Sequence, residues 1–266
     1  MQSENEDTWE APPPPEKIEV EQHEMTEVET LGNIFFEPGR TFEDLKKKPR
    51  FILATIIIAL LITVFSFALY YKMGDEGMRR SAAEQIEKSS QAAAMSTEQK
   101  QANIDLQITI GTMLRYILPI FIFMTMLIGG LLYWLGGKAF GGTSTYLQSL
   151  SVWVYASLPP AVLGILCNFI VLAFKSADEI DVATASQRGV IQANPGFLFD
   201  GKANPVLVTL VSTMDLFFIW FWILAAIGLR VMNKISSGSA WAIVIIFALI
   251  GITFRVIGAF FSGNPA

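Results

Sequence analysis

Apolar residues in this chain fall into five runs of about twenty, at about 51–71, 114–135, 147–174, 206–229 and 241–261, separated by polar stretches of unequal length. A run that long, helical at 1.5 Å per residue, crosses a hydrocarbon core of ~30 Å. A soluble core would show shorter, periodic patterns instead. The pattern predicts an all-α, polytopic membrane helical bundle with five transmembrane helices. It also divides the chain into a tail (1–32), a lead-in (33–50) and a membrane domain (51–262).

The third run carries an adjacent pair, Pro159 and Pro160. Proline lacks the backbone N–H and clashes with the carbonyl four residues earlier, so Tyr155 and Ala156 should lose helical partners and the helix should break. Hydrocarbon supplies no replacement, which places this span in the middle of the bundle with the other four around it. A polar face of Gln148, Ser151, Tyr155 and Ser157, with Asp215 and Arg255, is the expected cover for the freed carbonyls.

The polar stretches predict smaller elements. Residues 1–32 are acidic and contain Pro12 to Pro15, which reads as a disordered tail with a short polyproline II segment. In the lead-in, Thr41 and Asp44 have capping-box spacing, predicting a short amphipathic helix from Phe42 that Pro49 ends. Its Lys46, Lys47 and Lys48, with Arg50 beyond, would meet anionic lipid headgroups at the membrane interface. Between the first two spans, Met78, Ala82, Ile86 and Ala93 recur near helical spacing, and Ser96 with Gln99 repeats the capping signature. These predict a polar, coiled-coil-like helical hairpin outside the bilayer, its second arm running straight into span two. In that span, Thr125, Gly129 and Gly130 predict close helix approach. The turn at Asn194, Pro195 and Gly196 leads into Phe197, Leu198 and Phe199, which could dip into the interface.

Candidate chemistry is sparse. The one histidine, His23, and the one cysteine, Cys167, leave no metal site, no disulfide framework and no nucleophile with a base. The loop at 136–142, GGKAFGG, fails as a phosphate loop because Leu132 and Ala139 stand where glycine and Ser or Thr are required. No cofactor is expected, no nucleic-acid partner, and no catalytic residue. The net charge of −5 comes largely from the tail and decides little about partners. The chain opens on acidic residues, without the basic start of a cleavable signal peptide.

Basic residues cluster before the first span and at Lys138, Arg230 and Lys234 in the shortest connections, which places these segments and the N-terminus inside and the C-terminus outside. Asp215 and Arg255 are the charges expected within spans, at ~13 Å and ~9 Å below the outer surface when counted along continuous helices. An unpaired charge there costs ~2.5–3.5 kcal/mol, so the two are candidates for an ion pair. A proton-handling or translocation role, and bonding of Asp215 to hydroxyls such as Ser157 or Thr213, are the alternatives.

Four stretches together resemble the Yip (Ypt-interacting protein) domain family, in its prokaryotic branch. They are FFEPGRTFEDLKKKP (35–49), TYLQSLSVWVYASLP (145–159), MDLFFIWFWILAAIGL (214–229) and KISSGSAWAIVI (234–245). The resemblance implies five spans, a cytoplasmic N-terminus and no catalytic residues to carry over. Eukaryotic members are endoplasmic reticulum and Golgi proteins associated with Rab-type GTPases. Their Asp-Leu-aromatic-Gly-Pro motif before the first span is absent here, which points to a bacterial inner membrane, with a reticulum or Golgi membrane as the alternative. The expected function is that of a non-enzymatic membrane-organising or partner-binding protein. Its partners would be the lipid bilayer and an unidentified membrane or cytoplasmic protein, with a second copy of the chain as a further candidate. The competing reading is a small transporter or channel subunit using Asp215 and the broken third span as a polar path.

Overall fold

The computed structural model describes residues 24–88, 94–199, 201, 203–262 and 265. Among them the elements are α1 (Glu27–Asn33), α2 (Pro38–Lys47), α3 (Ile52–Lys88), α4 (Thr97–Ala139), α5 (Tyr146–Phe174), α6 (Val182–Arg188), α7 (Pro205–Val211), α8 (Leu216–Asn233) and α9 (Ser237–Ser262), with two short 3-10 turns. Five of them, α3, α4, α5, α8 and α9, are long and apolar enough to cross a membrane. The protein is an all-helical bundle, as the five apolar runs require.

Local signals set several helix starts. Ser96 accepts from Gln99 N while the Gln99 side chain accepts from Ser96 N, and α4 then runs without interruption from the polar arm into the apolar span. Thr145 and Gln148 make the same reciprocal cap on α5. α3 bends at Gly74, whose φ of 65° and ψ of 174° lie in a region essentially reserved for glycine. Beyond the bend its polar arm returns against the start of α4, where Arg79 reaches Asp105 at 2.6 Å. These two arms are the hairpin.

Between apolar helices in lipid, burial gives little driving force, so close packing has to hold the bundle. A Cβ on Gly129 would collide with the Trp153 indole, and one on Gly130 with Leu150, so these glycines set how closely α4 approaches α5. Beside them Tyr133 meets Trp153 edge-on at 4.8 Å, and Trp153 meets Phe221 at 5.2 Å. α5 packs on α2, α3, α4 and α8, whereas α9 leans on α4, α7 and α8. The central position expected of α5 therefore holds for three of the other four spans.

Two expected boundaries move. Pro159 and Pro160 lie buried inside α5, which is one helix from Tyr146 to Phe174, so the third span is not broken there. The flanking Tyr155, Ala156 and Leu158 are almost completely buried, so the proline pair lies in the packed interior of the bundle. The fourth run is the one that breaks. α7 ends at Val211, a turn occupies 212–214, and Asp215 caps the start of α8.

The lead-in also differs. α2 starts at Pro38, because proline suits the first helical position, and its N-cap is Glu37. Thr41 and Asp44 form no capping box: the Thr41 hydroxyl donates to the Glu37 carbonyl, and Asp44 is engaged elsewhere. Phe42 and Leu45 are fully buried, so α2 packs against α8 instead of lying free in an interface. Residues 27–32, expected to be disordered, belong to α1, where Thr26 and Glu29 form a capping box. The polyproline stretch and Ala93 lie outside the described residues.

Candidate functional site

The polar residues gather at the two ends of the bundle. One end carries α2 and the last turns of α4 and α8, where Asn233 is 1 % exposed. Its Nδ2 donates to the Leu229 carbonyl at 3.2 Å, and its Oδ1 accepts from the Ser144 hydroxyl at 2.6 Å. Ser144 in turn meets Ser149 at 2.9 Å. Gly137 and Gly142 press on the Asn233 amide with no room for a Cβ, and Thr143 N donates to the Asn233 carbonyl. The glycine-rich loop is thereby closed onto the end of α8. Its function in this structure is a close-packed turn.

α2 is fastened at the same end. Lys46 Nζ donates to the Val231 carbonyl at 2.6 Å, and Gln148 Nε2 donates to the Lys46 carbonyl at 2.8 Å. A cation suits the carbonyl-rich C-terminus of α8. Burial lowers the Lys46 pKa, Lys234 nearby lowers it further, and Glu43 opposes both. Arg50 pairs with Asp44 at 2.7 Å, both side chains about nine-tenths buried, and also donates to the Thr30 hydroxyl. Asp44 completes its shell by accepting from Met25 N. Of the four cations expected at lipid headgroups, Lys46 and Arg50 are thus engaged in holding α1, α2 and α8 together, and Lys47 and Lys48 are exposed.

At the opposite end, four polar residues stand at one level. At 1.5 Å per residue, Asp215 lies ~27 Å from Asn233, Arg255 ~27 Å from Ser237, Asn168 ~33 Å from Tyr146, and Arg115 ~33 Å from Gly137. These distances bracket the ~30 Å hydrocarbon thickness, so the four stand about one such thickness from the α2 end. Asp215 accepts from Phe217 N at 2.9 Å and from Asn194 Nδ2 at 3.2 Å. Arg255 lies over the Phe218 ring at 5.5 Å. Asp215 acts on Arg255 through space, and no direct salt bridge joins them among the described residues.

Three features here escaped sequence reasoning. Asn168, 8 % exposed, accepts from Val190 N at 2.6 Å and Ile191 N at 2.9 Å, clamping the long loop onto α5. Arg115 lies over the Tyr70 ring at 4.1 Å, bridging α4 to α3. The third is a cleft of about 640 Å³ at the base of the hairpin, lined by Met73, Arg79, Arg80, Gln101, Ile104 and Asp178. Arg79 is held by Asp75 and Asp105, chiefly Asp105, which raises its pKa, and Arg80 is held by Asp178 at 3.1 Å. A lone Asn inside an apolar run and an Arg at a span's edge were the available signals.

The polar face of α5 has a different use from the one expected. Ser151 donates to the Leu147 carbonyl and Ser157 to the Trp153 carbonyl, each one turn back. Tyr155 is buried beside Arg50 and Asp44. None of these bonds has the Tyr155 or Ala156 carbonyl as its acceptor.

Fold and site together define an integral membrane protein of five helical spans whose polar side chains mostly hold backbone turns in place. The chain belongs to the Yip1 domain family, whose model matches residues 32–258. It is also similar to Membrane protein YknW of Bacillus subtilis (strain 168), 29% identical over 246 residues that cover 92% of this chain and 95% of that protein. No solved structure matches it.

Proposed function

We propose that this protein is a non-enzymatic membrane-organising, partner-binding protein of a bacterial inner membrane, with its N-terminus cytoplasmic and its C-terminus outside. The observation that carries this reading is how the polar side chains are used. Asn233, Asn168, Gln148 and Asp215 all bond backbone or neighbouring side chains at the bundle ends, and the described spans hold no charged residue at mid-depth. Free surface outside the spans includes the hairpin and the α1–α2 cap, where Phe36 is 85% exposed. The similarity to a Bacillus membrane protein supports the bacterial setting.

A second reading, a small transporter or channel subunit, is favoured by the interrupted fourth span. A helix start capped by Asp215 and facing Asn194, next to a break in an apolar run, is akin to the interrupted helices that transporters use. Proteoliposome flux decides between them. The organising role predicts no solute- or proton-coupled flux from the wild-type protein, and photo-crosslinking from position 36 to one specific membrane partner. Flux that Asp215→Asn abolishes would sink it.

A further inference from the structure

The α2 end of the bundle gathers six cations on the ends of three helices. Lys46, Lys47 and Lys48 finish α2, Lys138 lies in the last turn of α4, and Arg230 and Lys234 finish α8. Two contacts bring these helix ends together: Lys46 on the Val231 carbonyl, and Asn233 packed on Gly137 and Gly142. Lys47, Lys48, Lys138, Arg230 and Lys234 are all exposed.

Among the described residues none of the six forms a salt bridge, which sets this end apart from the hairpin end. There, Arg79 and Arg80 are matched by Asp75, Asp105 and Asp178. The anions near the cations are spent or few: Glu37 pairs with Arg40, Asp44 pairs with Arg50, and Glu43 is the carboxylate that acts on Lys46. Lys234 adds a second oddity. It is the described non-glycine residue with positive φ (55°), in a C-terminal position where glycine is the ordinary choice. The chain accepts backbone strain here to hold a lysine beside Lys46.

We propose that this end is a binding site for anionic phospholipid headgroups, whose phosphates supply the missing counter-charge and bridge α2, α4 and α8 through Lys47, Lys48, Lys138, Arg230 and Lys234. The assignment rests on the reading that this end faces a leaflet surface as part of a membrane-organising protein. It differs from an amphipathic helix lying in the interface, because the cations come from three packed helix ends and exclude Arg50, which is buried against Asp44.

The test uses the full chain in nanodiscs of phosphatidylcholine alone or mixed with phosphatidylglycerol, read by thermal midpoint and by native mass spectrometry of retained lipid. Wild type should melt higher with phosphatidylglycerol and retain it selectively. Each cation removed as Lys47→Gln, Lys48→Gln or Arg230→Gln should weaken retention about fivefold. Lys234→Gly separates lipid binding from structure, because it relieves the left-handed backbone. It should melt at or above wild type in phosphatidylcholine yet lose part of the phosphatidylglycerol gain. An equal midpoint in both lipids overturns the proposal, as does a Lys47→Gln/Lys48→Gln/Lys234→Gly variant with the full gain. Inorganic phosphate reproducing the whole gain in phosphatidylcholine would also overturn it, marking a free-anion site. Solute flux would instead refute the organising function and leave this lipid response standing, so the two failures are distinguishable.

Discussion

Asn233 and Gly137 form a cycle in which one damaging substitution should repair another. Asn233→Ala deletes the bonds to Leu229 and Ser144 and leaves Ser144 only its Ser149 partner. Two hydrogen bonds at ~1 kcal/mol each, with ~1 kcal/mol for the buried atoms removed, give a loss of about 3 kcal/mol. Gly137→Ala alone drives a Cβ into the Asn233 amide, whose Oδ1, Cγ and Nδ2 are the nearest atoms. Overpacking of that kind costs about 2 kcal/mol. All three of those atoms vanish in Asn233→Ala, so Gly137→Ala then escapes its closest collisions and gains the ~1 kcal/mol helix advantage of alanine over glycine. The double variant should therefore lose only about 2 kcal/mol, against about 5 for the sum, a coupling of about 3 kcal/mol. Equilibrium unfolding in mixed micelles with an increasing fraction of SDS reads all four corners of the cycle. Additivity within about 0.5 kcal/mol would show that the Asn233 amide does not occupy the space above Gly137. Gly142→Ala is the internal control. Its Cβ would also strike the Asn233 Cβ, which alanine keeps, so it should not be rescued.

Other substitutions report on the hairpin end. Asn168→Ala should cost about 2 kcal/mol and expose the Val190 and Ile191 amides to rapid hydrogen exchange, with α5 itself protected. Asp215→Asn should be nearly neutral, because asparagine caps a helix as well as aspartate does, whereas Asp215→Ala should cost about 1 kcal/mol. If Asp215→Asn is the worse of the two, and adding Arg255→Asp to Asp215→Arg restores the membrane yield that Asp215→Arg loses, then charge outweighs capping at this position. Gly74→Ala forces an alanine into a glycine-only region and should cost about 2 kcal/mol or swing the hairpin, which spin-label distances between the hairpin and α6 would register.

The five spans, the hairpin and the Ser96 cap were legible because each is written locally. A twenty-residue apolar run and a residue that bonds its neighbour three positions on need no tertiary information. The fourth-span break was also local, since residues 216–233 suffice to cross and aspartate favours the N-cap, yet a continuous apolar run masked it. Pro159 and Pro160 misled in the opposite direction. Their missing donors are certain from sequence, whereas a helix that runs on through them, with Tyr155, Ala156 and Leu158 buried, is not. Asn168 and Asn233 were illegible as clamps because their partners, at Val190 and Ser144, lie far away in sequence. Lys46 reads in sequence as a headgroup cation like Lys47 and Lys48, because nothing local shows that α8 places the Val231 carbonyl beneath it.

The interruption before Asp215 has a consequence for the surrounding lipid. α8 is held between a carboxylate at one end and Asn233 and Lys234 at the other, and its 18 residues measure ~27 Å. A typical hydrocarbon core is ~30 Å, so lipids beside this helix must thin by a few ångströms or the helix must stand upright. α9, whose stretch from Ser237 to Arg255 measures the same ~27 Å, shares that demand. These two packed helices therefore present a short flank to the bilayer, and the thinning they ask for favours gathering in membranes where that deformation is already present.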